Sequence, residues 1–392
     1  MLNITKRGFN VCMITHAFYP EYNGAATQCY YLSKNLVEIN CRVMIAAFTN
    51  NFNLPSQQWI EGIDVRRIFV RKKGLTGPFT AIKLVLLLIK ESRRFDIIHF
   101  HGFNNHLLWI VWLNLFLRKK IILKMSLMNY DTPKAIMANG IFYRFAYRKI
   151  DVIIATTSAM MDELNENPLL KGKGAIIANG VDIDKFTPAN KEEKIKLREK
   201  LGLPKASKII IFSGAVTHRK GIDILLSTWE MLYQKLSGLC PSLLIVGPFR
   251  EDIAKIDAED EQTKKIVMEI VEKYPEYIYL PGMKQNIEDY YRASDLFVLP
   301  SRNEGLPNAL LEAMACGLNC VVTDFPGIDD LAVTNGGLRI IYRVKDENGL
   351  FGTLIKALQD SEIGNLARQW IISKFSMEKV LDLYLKCYQE IR

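Results

Sequence analysis

The chain has 392 residues, of which 49% are apolar and 24% charged, with a formal net charge of +9. That length exceeds a single hydrophobic core and points to two domains, and the composition is that of an ordinary globular protein rather than a disordered or fibrous one. Seven cysteines include no Cys-x-x-Cys pair, which argues against a zinc finger, so a reduced, cytoplasmic chain without bound metal is expected.

In chain order, residues 10–14 read as a first strand, too short for a secretory leader and running directly into His16. Thr15-His-Ala-Phe-Tyr-Pro20 and then Asn23-Gly24 lead into a helix over 25–39. Glycine at a strand-to-helix turn lets backbone come close to a ligand, and the helix start favours an anion. Strands at 42–48, 65–70, 97–100, 121–124 and 152–155 alternate with helical patterns, the rhythm of a doubly wound parallel sheet. Asp96-Ile-Ile-His-Phe-His101-Gly102 ends at the sheet's carboxyl edge, where α/β ligand sites gather. His99 is expected on the opposite face of that strand from His101, in a structural role.

The apolar run Leu107–Leu117 falls short of the roughly 20 residues that span a bilayer. It reads as a buried helix; the alternative is an interfacial helix with Arg118-Lys119-Lys120 on the headgroups. Arg66-Arg67, Arg71-Lys72-Lys73 and Arg93-Arg94 place much of the basic excess in the first hundred residues. Without an aromatic-basic platform or zinc-finger spacing, no nucleic-acid partner is expected. An anionic membrane surface, an anionic donor and acceptor, or a plain solvated face each account for the charge.

A polar stretch near 190–208 separates a second series, with strands at 209–213, 243–247, 277–280, 296–299 and 320–323. Its first loop is Ser213-Gly-Ala-Val-Thr-His-Arg-Lys-Gly221. The most informative segment is Ser301-Arg-Asn-Glu-Gly-Leu-Pro-Asn-Ala-Leu-Leu-Glu-Ala-Met-Ala-Cys-Gly317. Pro307 suits the first turn of a helix and Gly317 its end. The pattern is strand, tight loop, helix, strand, with Glu304 on the loop and Glu312 about one turn into the helix. The amides of Asn308, Ala309 and Leu310 would leave the helix start, where an anion binds readily. A phosphate there, flanked by two carboxylates that accept from hydroxyls, describes a nucleotide-sugar site.

That segment closely resembles the donor-binding motif of the retaining GT-B glycosyltransferases of family 4 (glycosyl transferases group 1). The matching residues are Glu304-Gly305-Leu306, Glu312, Ala313-Met314-Ala315-Cys316-Gly317 and Val321-Val322-Thr323-Asp324. Asn179-Gly-Val-Asp182 with Phe186 and Pro188 resembles the element that ends the family's first domain, and Phe375-Ser-Met-Glu378 the start of its last helix. The resemblance implies two Rossmann-like domains facing across a cleft. The first would cover 1–190, joined by a helix over 375–392, and bind the acceptor; the second, 191–374, would bind the donor. Glu304 would contact sugar hydroxyls and Glu312 the ribose. Lys220, followed by Gly221, would meet the diphosphate with Asn308, Ala309 and Leu310. Gly24 would lie beneath the diphosphate, and His101 would meet the donor sugar or the acceptor. His101, Lys220 and Glu304 are the expected catalytic set. No cofactor beyond the donor is implied, and no Asp-x-Asp pair suggests a metal. In this family the sugar is transferred with retention, and in a front-face mechanism the leaving phosphate itself can take the acceptor's proton.

The chain departs from the family in three places. Ala215 stands where relatives usually carry arginine, so Arg219 or His218 would have to supply the second phosphate cation. Relatives often have a histidine in the loop that here offers Ser126, Asn129, Tyr130 and Asp131, which leaves the acceptor open. Asp329 and Asp330 replace a family glutamate. A cell-surface glycan or glycolipid acceptor at the inner face of a membrane follows from family habit and basic charge. The rivals are a nucleotide-sugar 2-epimerase of the same fold and a nucleotide-sugar-binding module that has lost catalysis.

Overall fold

The computed structural model describes residues 8–21, 23–70, 77–236, 241–249, 258–332, 339–345, 349–360 and 362–392. The chain divides into two compact α/β units, Met1–Gly180 with Met377–Arg392, and Val181–Ser376.

The first unit carries β1 (Asn10–Thr15), β2 (Arg42–Thr49), β3 (Gln57–Ile60), β4 (Ile63–Phe69), β5 (Ile97–His101), β6 (Lys120–Lys124), β7 (Val152–Ala155) and β8 (Gly174–Ile176). Their spatial order is β3-β4-β2-β1-β5-β6-β7-β8, parallel throughout except for the β3–β4 hairpin. The helices between them are α1 (Gly24–Glu38), α2 (Pro78–Glu91), α3 (His106–Leu117), α4 (Pro133–Met137), α5 (Ile141–Lys149) and α6 (Ser158–Asn165). Asn23 caps α1, its Oδ1 accepting from the Ala26 amide at 2.7 Å.

In the second unit β9 (Ile209–Ser213), β10 (Ser242–Val246), β11 (Ile278–Gly282), β12 (Leu296–Leu299), β13 (Asn319–Thr323) and β14 (Tyr342–Val344) form a parallel sheet, ordered β11-β10-β9-β12-β13-β14. Around it lie α7 (Lys191–Lys200), α8 (Ile222–Lys235), α9 (Ala258–Lys273), α10 (Ile287–Ala293), α11 (Asn308–Ala315), α12 (Asp329–Ala332), α13 (Leu350–Gln359) and α14 (Ile363–Lys374). The last helix, α15 (Met377–Glu390), returns to the first unit and packs on α1.

The central strands are buried on both faces, which is why they appear in the sequence as unbroken apolar runs. In the first unit Cys12, Ile14, Ala46, Ile98 and Phe100 enter one core layer, and Val11, Met13, Ile45, Ile97 and the α15 residues Tyr384 and Tyr388 the other. The short edge strands β3, β8 and β14 carry no such run, and nothing in the sequence marked them.

Three expectations are corrected. The passage between units falls at Gly180, not at 190, because residues 181–190 pack with the second unit. There the Val181 amide donates to the Phe375 carbonyl (2.9 Å), and the Phe186 ring is buried against Tyr291. The return falls at Met377 rather than 375, since Ser376 still bridges to Val181. His99 and His101 share one face of β5, their rings 4.4 Å apart between centroids. Residues two apart on a strand point the same way, so the expected alternation was wrong.

His99 is nonetheless held structurally, its Nδ1 2.9 Å from the Tyr388 hydroxyl of α15. Burial, with the nearby Lys124 charge, pulls its pKa down to about 3, so the ring is neutral. Tyr388→Phe leaves that buried nitrogen unpaired and is expected to cost about 1–3 kcal/mol. A urea midpoint unchanged from wild type would refute this.

Candidate functional site

Each sheet has one point where consecutive strands depart in opposite directions. In the first unit β1 lies between β2 and β5; in the second, β9 lies between β10 and β12. Crevices for ligands open at the carboxyl ends of strands at such points. The predicted residues gather at both.

In the second unit Gly214 follows β9, and the chain makes one 3-10 turn, His218–Lys220, before Gly221 caps α8. Gly221 has φ +68°, and a Cβ there would sit 1.8 Å from the Pro300 carbonyl oxygen. This close approach seats the turn against the loop that follows β12. The Lys220 Nζ donates to Glu304 Oε1 at 2.5 Å, and the Arg219 guanidinium lies 3.5 Å from the same oxygen. Arg219 also donates to the Asn303 carbonyl at 2.7 Å. Lys220 and Glu304 are both largely buried. Burial alone would raise the Glu304 pKa, but the Lys220 and Arg219 charges outweigh it and hold the carboxyl below its usual range.

Arg302 braces the two loops. It forms a fork on Asp223 (2.8 Å at both nitrogens), donates to the His218 carbonyl at 2.7 Å, and its amide bonds the Arg219 carbonyl. His218 turns elsewhere, its amide on Asp260 and its Nδ1 3.1 Å from Glu259. Of the two cations proposed to offset Ala215, only Arg219 stands beside Glu304.

Pro307 is the cap residue of α11 rather than its first helical residue, and Gly317 (φ +73°) ends the helix as expected. The Leu310 amide already donates to the Pro307 carbonyl at 3.2 Å, so Asn308 and Ala309 supply the amides ahead of the first intrahelical bond. Gly305 and Leu306 are buried in the turn before it. Glu312 accepts from the Tyr291 hydroxyl at 3.0 Å. Part of the side chain reaches solvent, but the carboxyl is desolvated, and burial, partly offset by Tyr291 and Lys185, pushes its pKa up to about 7.

A carboxyl raised above its unfolded value of about 4.3 holds its proton more tightly when folded. That contribution is fully present below about pH 4.3 and is lost as pH rises towards 7. Glu312→Gln, neutral at every pH, is therefore expected to raise the thermal midpoint at pH 8 and barely change it at pH 4. An equal effect at both pH values would remove the assignment.

In the first unit Gly24 opens α1, exposed, behind the Asn23 cap. His101 ends β5 in register with Thr15 of β1 and Lys124 of β6. Its ring is buried, and among the described residues neither nitrogen has a hydrogen-bond partner. Burial, then His99 and Lys124, drives its pKa well below the ordinary histidine range, so it is neutral. Lys124 was not singled out from the sequence. It is buried, its Nζ lies 5.6 Å over the Tyr384 ring, and burial lowers its pKa to about 7. A lysine closing the apolar run Ile121-Ile-Leu123 was the available signal.

In the following loop Asp131 is buried and accepts from the Ser126 amide (2.7 Å), the Ser126 hydroxyl and the Leu127 amide. Asp131 and Ser126 therefore hold the loop's own shape, while Tyr130 projects into solvent. Asp329 pairs with Arg343 on the surface of the second unit. Arg302, Asp223 and Tyr291 were likewise missed, since pairs 79 and 21 positions apart leave no local pattern.

Two family models match the chain, one in each unit. The family described as Glycosyl transferases group 1 matches residues 193–374, and Glycosyltransferase Family 4 matches residues 22–185. A lipopolysaccharide core biosynthesis mannosyltransferase, LpsB, of Rhizobium meliloti is 31% identical over 207 residues, 49% of this chain and 50% of that protein. A UDP-Gal:alpha-D-GlcNAc-diphosphoundecaprenol alpha-1,3-galactosyltransferase of Escherichia coli is 28% identical, over 57% of this chain and 56% of its own. The matched region spans about half the length of such curated relatives. Among solved structures, Anabaena HepE in complex with UDP and glucose superposes with a TM-score of 0.76 at 14% identity, covering 97% of this chain and 99% of its own.

Proposed function

The chain belongs to the glycosyl transferases group 1, family 4, with the GT-B fold, and on that premise we propose that it transfers a sugar, with retention and without metal, from a nucleoside-diphosphate-sugar to an acceptor hydroxyl. The observation that carries this reading is the buried Lys220–Glu304 pair, with Arg219 beside it, at the switch point of the second sheet.

When the bond from anomeric carbon to phosphate oxygen breaks, negative charge grows on the diphosphate. Fixed cations in a site of low dielectric stabilise that charge far more than water would. Lys220 and Arg219 supply the cations, and Arg219 fills the need left by Ala215. The amides of Asn308 and Ala309 face the same anion, with Gly305 and Leu306 shaping the turn. Glu304, kept ionised by its neighbours, accepts from sugar hydroxyls, and Glu312 accepts from the ribose. Gly24 offers close backbone approach at an anion-favouring helix start. His101, neutral, offers one donor and one acceptor to the sugar or the incoming hydroxyl, and the leaving phosphate takes the proton. The relatives support a glycan or lipid-linked acceptor in cell-surface polysaccharide or glycolipid assembly at the inner face of a membrane.

The test follows thermal midpoint and slow donor hydrolysis with UDP-, GDP- and ADP-sugars, with Glu304→Gln in parallel. One donor class should raise the midpoint, and its hydrolysis should be lost in the variant. No shift with any nucleotide-sugar would sink the transferase reading. Interconversion of the donor without an acceptor would favour an epimerase.

A further inference from the structure

We propose that the outer face formed by α2, α3 and α5 is a docking surface for an anionic lipid bilayer. The three helices lie side by side, α3 in the middle, over one face of the first unit's sheet. Leu84 and Leu88 of α2, Leu107, Ile110 and Val111 of α3, and Ala146 and Tyr147 of α5 fill the same core layer. An ordinary surface helix is polar on its other side. These are not.

Helix α2 turns Phe79 (80% exposed), Ile82, Leu86 and Ile89 outward, a stripe at helical spacing. Helix α3 has no charged residue and exposes Trp109, Trp112, Leu115 and Phe116 (84%). Helix α5 adds Ile141 and Phe142, and its Phe145 ring stacks on Trp112 at 5.0 Å, joining the two helices' surfaces. Among the described residues, ten of the 21 large apolar side chains that are exposed belong to these three helices. A contiguous apolar surface of that kind on a folded protein marks an interaction site.

Charge selects the occupant. Lys83 and Lys90 on α2, and Arg144, Arg148 and Lys149 on α5, are exposed around the apolar stripe, and Arg118, Lys119 and Lys120 follow α3. The only acidic residue on the three helices is Glu91, which is buried and paired with Arg94 at 2.9 Å and Arg66 at 3.4 Å. A second copy of the chain on this face would bring a ring of like charges together. An anionic headgroup layer over hydrocarbon satisfies both features: aromatic rings sit at the interface, and lysine and arginine reach back to the phosphates. Among the described residues no helix is long and apolar enough to cross a membrane, so the contact is one of lying on the surface.

The test is co-sedimentation of the full chain with phosphatidylcholine vesicles with and without phosphatidylglycerol, together with tryptophan quenching by brominated acyl chains. The wild type should partition onto the anionic vesicles, and quenching should vanish in Trp109→Phe/Trp112→Phe. The double variant Leu86→Asp/Phe116→Asp should bind at least about tenfold more weakly, and Lys90→Glu/Arg148→Glu should lose the preference for phosphatidylglycerol. Both pairs are exposed, and thermal midpoints check that the variants remain folded. Failure of the wild type to bind anionic vesicles, or equal binding by the Asp variant, would overturn the proposal. So would a wild-type dimer in sedimentation velocity that the Asp variant dissolves, which would assign the face to a second copy. Neither donor nor acceptor enters the experiment, so its failure leaves the reading of the donor site standing.

Discussion

Lys220→Ala is expected to lower the rate of sugar transfer, and of slow donor hydrolysis, by about 10²–10³-fold, the usual consequence of removing one fixed group that stabilises developing charge. Nucleotide affinity should change less, because the proposed ribose and helix-start contacts would remain. Loss should thus appear mainly in kcat. The variant also leaves the buried Glu304 carboxylate with Arg219 alone, 3.5 Å away. Removing one partner of a buried pair costs about 3–5 kcal/mol, and the surviving guanidinium places the expected loss at the lower end. A pH series separates the two effects. Glu304 has its folded pKa lowered, so its stabilising contribution is present above the unfolded value of about 4.3 and is lost as pH falls through the folded one. The stability gap between wild type and variant should therefore be wide at pH 7 and narrow in acid. Lys220→Arg, which restores charge but not shape, should recover stability more than rate. Turnover by Lys220→Ala within a few-fold of wild type would remove Lys220 from the mechanism.

Gly221→Ala is expected to damage both stability and activity although it changes no polar group. The residue holds φ +68°, which costs an L-residue about 1–2 kcal/mol. Its new methyl would meet the Pro300 carbonyl oxygen at 1.8 Å, a backbone atom with little room to retreat, and overpacking of this kind adds about 1–3 kcal/mol. Relief can come only by separating the loop after β9 from the loop after β12, the movement that would part Lys220 from Glu304. Urea unfolding should show the combined loss, and donor hydrolysis should fall even where the variant remains folded. Gly202→Ala, also at positive φ (+67°) but with nothing within 4 Å, is the control and should show the conformational cost alone. Equal effects at the two glycines would refute the steric argument.

The strands that build both sheet centres were legible because a strand buried on both faces must be an unbroken apolar run. Strands 209–213 and 296–299 coincide with β9 and β12 residue for residue. The Glu304 to Glu312 segment was legible for a related reason: loop, cap and first helical turn lie within one βα unit, so their spacing alone sets their geometry. His99 and His101 share a face because a strand's side chains repeat every two residues, a rule that needs only the sequence. The short edge strands and the boundary at Gly180 were not available, because they depend on what packs against them.

What the sequence by itself determined was therefore local: the βα rhythm of two domains, the turn glycines, and one carboxylate on a loop with another about one turn into the helix that follows, each governed by backbone geometry over a few residues. The tertiary structure alone decided which groups meet. It placed Lys220 against Glu304 across 84 positions, braced them with Arg302 on Asp223, and buried Lys124 beside His101. It also left one side of α2, α3 and α5 bare, a fact that apolar composition cannot reveal, because a helix is buried only if another layer of the fold arrives to cover it.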